Sequence, residues 1–148
     1  MLRWLLLPLL LTSCLQPYTP DATTKYTEIT GAPMSFILNV DQYIEEVNKK
    51  MPDCGIEVKP DLIAFVFFQD IGSLYGAQYK APRTIVINSK AHAPIALFGH
   101  EYCRELLFTT GNEQWAQPSS NWNVQPIGCC WNTVETISLK FDYPEVNL

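Results

Sequence analysis

The chain has 148 residues, 47% of them hydrophobic, and fifteen acidic against ten basic side chains give a net charge of −5. That is one ordinary domain with enough apolar material for a core. No basic run occurs, so a nucleic-acid partner has no electrostatic support, and charge alone would not draw the chain to an anionic lipid surface.

The first fourteen residues, MLRWLLLPLLLTSC, place one arginine before an apolar stretch of signal-peptide length. It is too short to span a bilayer, which takes about 20 apolar residues. Its end, Leu11-Thr12-Ser13-Cys14, resembles the cleavage motif of bacterial lipoproteins, in which the cysteine is acylated and becomes the new N-terminus. The resemblance implies a signal peptide over 1–13, lipidation of Cys14 and a lipid bilayer as the partner, since two or more acyl chains anchor stably. Leu15 rather than Asp in the next position implies, by the same resemblance, the cell envelope's outer membrane, facing the periplasm. Residues 14–34, the lipidated cysteine and a stretch rich in Pro, Thr and charge, read as a tether without apolar periodicity.

A single domain then occupies 35–148. Asp41 is a predicted helix N-cap for QYIEEVNKKM, where Ile44, Val47 and Met51 recur at helical spacing and Lys49 and Lys50 suit the C-terminal turn. Pro52 ends that helix. IAFVFF (63–68) is a continuous apolar run suited to a buried strand. YGAQYKA (75–81) and TIVINS (84–89) are two strands joined closely enough to pair as a hairpin. Pro94 fits a first helical position and Gly111 a helix end, giving a helix over roughly 94–108. The stretch that follows is loop-rich and carries Trp115, Trp122 and Trp131 with Asn121, Asn123 and Asn132, which read equally as an aromatic and amide-rich surface suited to sugar or peptide and as a small core pinned by disulfides. TVETISLKF (133–141) alternates and predicts a final strand.

Apart from Cys14 the cysteines are Cys54, Cys103, Cys129 and Cys130. An even number in an exported chain reads as disulfides. Bridging the adjacent Cys129 and Cys130 would be strained, so Cys54 and Cys103 are each expected to pair with one of the tandem pair.

The segment LYGAQYKAPRTIVINSKAHAPIALFGHEYCRELLF (74–108) resembles the minimal scaffold of zincin metallopeptidases, with an edge strand, a strand ending IxIN and a helix opening His-Glu. The resemblance covers roughly 41–111 and implies an α+β zincin-like domain, with a loop-rich, disulfide-bearing C-terminal part beyond it. Carried over residue by residue, His100 matches the first metal ligand and Glu101 the catalytic general base of H-E-x-x-H. Arg104 falls where the second histidine should be, and a guanidinium does not ligate metal. His92, the only other histidine, is eight residues upstream, about 12 Å along a continuous helix, and reads as a surface or capping residue. A third ligand would have to be a carboxylate such as Glu105, Glu113 or Glu135, or a cysteine. Cys103 shares a helix face with His100 and could complete a mixed His/Cys site if it were not in a disulfide. Arg104 is also spaced to lay its cation over the metal position and pair with Glu101, replacing Zn²⁺ without supplying a hydrolytic water.

The expectation is a membrane-anchored envelope lipoprotein with a degenerate, non-enzymatic metallopeptidase-like domain that binds a peptide or cell-wall ligand and needs no cofactor. Two alternatives stand beside it. One is a zinc-dependent hydrolase using His100, Glu101 and unconventional further ligands; the other is an envelope assembly or lysis lipoprotein unrelated to zincins.

Overall fold

The computed structural model describes residues 28–59, 63, 65–73, 76–80, 83–109 and 125–145. The leader, Cys14 and most of the tether lie outside these residues, as do Glu113, Trp115, Trp122, Asn121 and Asn123. The described residues form an α+β fold of three α-helices and a four-stranded mixed sheet. None of their helices is long and apolar enough to cross a membrane.

Strand β1 (Glu28–Thr30) comes first, inside the stretch read as tether, and pairs parallel with β2 (Phe65–Gln69). Three residues are too few for a readable alternation. Helix α1 (Met34–Lys50) begins a full two turns before Asp41, which is therefore not its cap. Pro33 starts it instead, its carbonyl accepting from the N–H groups of Phe36 and Ile37. The buried stripe Phe36, Val40, Tyr43, Ile44 and Val47 has helical spacing throughout, so the periodicity already ran upstream of the predicted start. A 3-10 turn over Met51–Cys54, carrying Pro52, closes the helix, and Gly55 takes the left-handed conformation (φ 73°) that ends it.

The hairpin is as expected. Strand β3 (Ala77–Lys80) pairs antiparallel with β4 (Thr84–Asn88), and β4 pairs parallel with β2. The order β1-β2-β4-β3 leaves the antiparallel strand at an edge. Val66, Ile85 and Ile87 contribute to the apolar core shared with the helices.

Helix α2 (Pro94–Thr109) runs as its sequence indicated. Helix α3 (Ile127–Asp142) corrects the predicted final strand. The alternation in TVETISLKF satisfies a strand, but Ile127, Cys130, Trp131, Val134, Ile137 and Ser138 are buried at helical spacing. The β-branched Thr133, Val134, Thr136 and Ile137 favour a strand locally, and packing against α2 overrides that preference.

Two disulfides fix α3. Cys54–Cys129 ties it to the turn after α1, and Cys103–Cys130 ties it to the middle of α2. Each lone cysteine thus takes one of the tandem pair. With sequence separations of 75 and 27 residues, loop-closure entropy assigns each bond about 4 kcal/mol.

The helices meet without clearance at Gly99. Tyr43 donates its hydroxyl to the Val134 carbonyl at 2.9 Å, and a Cβ on Gly99 would collide with that hydroxyl oxygen and stand 3.0 Å from the Val134 Cβ. Gly99→Ala should therefore cost about 3 kcal/mol by overpacking, measured by chemical unfolding. Because the hydroxyl is the nearest obstacle, adding Tyr43→Phe should restore part of the loss; equal or greater loss in the double variant would place the conflict elsewhere.

Candidate functional site

Helix α2 carries His100, Glu101, Arg104 and Glu105, and two of these bind it to the sheet edge. Asn88 N–H donates to the Gly76 carbonyl, which makes 76/88, and so 78/86 and 80/84, the hydrogen-bonded pairs of the hairpin. The backbone groups of Ala77 and Tyr79 consequently point away from β4. The Tyr79 N–H is taken by the Glu101 carboxylate. One turn on, Glu105 accepts from the Tyr79 hydroxyl and, at 3.1 Å, from the Arg83 N–H at the start of β4. Arg83 has a positive φ of 63°, and this hydrogen bond helps hold that unfavoured conformation. Both carboxylates are buried, Glu101 at 6% exposure and Glu105 at 1%.

A third carboxylate sets the helix start. Asp142, the last residue of α3, accepts from the N–H groups of Ile95 and Ala96 at 3.0 and 2.8 Å, capping α2 from another element. Glycine at 99 lets α1 and α3 approach as described, so α2 is located at its head, its middle and its sheet-facing side.

This clamp presents three side chains together. The His100 ring stands edge-on to Trp131, with centroids 4.5 Å apart. The Arg104 guanidinium carbon lies 6.0 Å from the Trp131 ring centroid, within cation–π range. Its Nη1 is 3.4 Å from Glu101 Oε2, an ion pair without hydrogen-bond alignment. Burial lowers the His100 pKa; the negative charge of Glu135 opposes that shift and the cation of Arg104 adds to it, so the ring is neutral at pH 7. Burial raises the Glu101 pKa; Arg104 and the Tyr79 N–H oppose the shift without cancelling it. Burial likewise raises Glu105 and Asp142 despite their hydrogen bonds.

A zinc site does not fit these residues. The Cys103 sulfur, the candidate ligand in a mixed His/Cys arrangement, is bonded to Cys130 and is not free to ligate. Glu105 is engaged by Tyr79 and Arg83. His92 does not join His100; it lies exposed before α2, lining a cavity of about 310 Å³ with Pro94, Phe141 and Asp142. Glu135 is exposed on α3, and its charge acts on His100. Among the described residues no group of three or more His, Cys, Asp or Glu side chains is placed to hold a metal ion. What the arrangement offers is a fixed cation and a neutral imidazole packed against one buried indole.

The sequence located His100, Glu101 and Arg104 and left Trp131 between a ligand surface and a disulfide-pinned core; Trp131 is buried in α3 next to the bridged Cys130, so it is not part of an exposed aromatic surface. The signal for Glu105 was available: a glutamate amid CRELLF, four residues after Glu101, sits on the apolar side of the helix and must find buried donors. Asp142 as a distant cap had no readable signal.

No family model, curated protein or solved structure matches this chain.

The raised Glu101 pKa has a sign that can be measured. The folded state holds that proton more tightly than the unfolded state, whose group titrates near 4.5, so its ionisation lowers stability as pH rises from there through the folded-state pKa. Glu101→Gln removes this contribution. The stability of the variant minus that of the wild type should grow between about pH 4.5 and neutrality, by about 1.4 kcal/mol for each tenfold difference in proton affinity between the folded and unfolded chains. A difference that shrinks over that window would mean that Arg104 outweighs burial.

Proposed function

We propose that this is a lipid-anchored envelope protein whose domain keeps the layout of a small zinc-peptidase scaffold, has lost the metal, and works by binding. The observation that carries the reading is Arg104. It stands at the second-ligand position of H-E-x-x-H, ion-paired to the residue that would be the general base and lying over Trp131. Hydrolysis by such a scaffold needs a metal-bound water held by three ligands, and of the candidate further ligands Cys103 is committed to a disulfide and Glu105 to the sheet clamp.

The layout supports the scaffold reading. An antiparallel edge strand, a strand ending Ile-Asn and a helix opening His-Glu follow one another, and the glutamate meets the edge strand. The ligand class proposed for the site is a peptide or cell-wall fragment whose carboxylate would meet the partly exposed Arg104 and share its cation with Glu101. The lipoprotein part of the reading rests on the LTSC motif and the cysteine pairing, which fits an oxidising compartment.

Zinc content per chain tests the loss of the metal. The wild-type protein with its disulfides intact should carry none after exposure to zinc and desalting. About one zinc per chain, lost on His100→Ala, would overturn the reading in favour of a metallohydrolase with ligands outside H-E-x-x-H.

A further inference from the structure

The first two turns of α1 leave three large apolar side chains in solvent: Met34 at 66% exposure, Ile37 at 43% and Leu38 at 72%. They share one side of the helix, opposite the buried stripe of Phe36, Val40, Tyr43 and Val47. Asp41 and Glu45 continue the same side, so the apolar surface stops after two turns and only the head of the helix carries it. That head has no acidic residue in its first turn, leaving the positive end of the helix uncompensated.

Where this surface sits in the chain is informative. Only the thirteen residues 15–27 separate Cys14 from β1, and α1 begins four residues after β1 ends. Thirteen residues reach at most about 45 Å, so an acylated Cys14 would keep the head of α1 near the bilayer. Tethering of that kind raises the effective concentration of membrane to the millimolar range, where a patch too small to bind alone can dock.

We propose that Met34, Ile37 and Leu38 form a membrane-docking surface that inserts the head of α1 into the interfacial region of the bilayer to which Cys14 is anchored. The proposal rests on the lipoprotein reading. The three side chains expose on the order of 400 Å², short of the roughly 800 Å² per partner of a stable protein interface, which favours lipid over a second copy. The net negative charge of the chain disfavours an anionic surface, so the fitting lipids are zwitterionic, with their phosphates near the helix head.

The test uses the full acylated chain in phosphatidylcholine/phosphatidylethanolamine vesicles, with a nitroxide on Leu38→Cys or, as a far-edge control, on the exposed Lys80→Cys. At position 38 accessibility to oxygen relative to a water-soluble nickel chelate should be several-fold higher than at position 80. Adding Met34→Ser and Ile37→Ser should abolish the contrast while the disulfides and circular dichroism stay native. Equal, water-like accessibility at both positions would overturn the proposal and leave the lipoprotein reading standing. Nickel protection accompanied by short nitroxide–nitroxide distances would overturn it in favour of self-association. Mass spectrometry of the N-terminal peptide decides the prior step: Cys14 without acyl chains removes both the lipoprotein reading and the docking surface.

Discussion

Two buried glutamates on one helix hold this fold's edge strand, and most of the site follows from that constraint. Glu101 and Glu105 are one turn apart on α2 and reach the Tyr79 N–H, the Tyr79 hydroxyl and the Arg83 N–H. Burying a carboxylate is costly unless donors or a cation compensate it. Glu105 is compensated by two donors from the hairpin. Glu101 receives one backbone donor and is partly compensated by Arg104. The edge strand benefits too, since Glu101 occupies an outward N–H that would otherwise be open to pairing with another chain.

The remaining contacts serve the same helix. Asp142 caps its head, Gly99 admits Tyr43 against its second turn, and Cys103 bonds it to α3. A helix restrained at these points keeps His100 and Arg104 against Trp131 in one geometry. Such rigidity suits recognition by preorganised groups.

Much of this was legible in the residues. The hairpin was readable because β-formers flank a short turn, and α2 because Pro94 opens an apolar stripe of helical period. The disulfide pattern followed from the strain of bridging neighbours, although which tandem cysteine each partner takes was not readable. The final helix was misread because TVETISLKF supports periods of two and of 3.6 at once, and its β-branched residues tilted the choice. The start of α1 was missed because Asp41 looked like a cap, whereas the burial of Phe36 and Val40 decides the matter. Long-range polar contacts such as Asp142 on α2 depend on where three helices finally pack, which local pattern does not encode.

The central claim is that Arg104 offsets part of the cost of burying the Glu101 carboxylate. A double-mutant cycle between Glu101→Gln and Arg104→Leu, read by chemical unfolding at pH 7, tests it most directly. The expected coupling is favourable and about 1–2 kcal/mol, scaled down from a fully buried pair because Arg104 is partly exposed. A coupling near zero would contradict the claim and leave Arg104 as a solvated side chain on an ordinary helix.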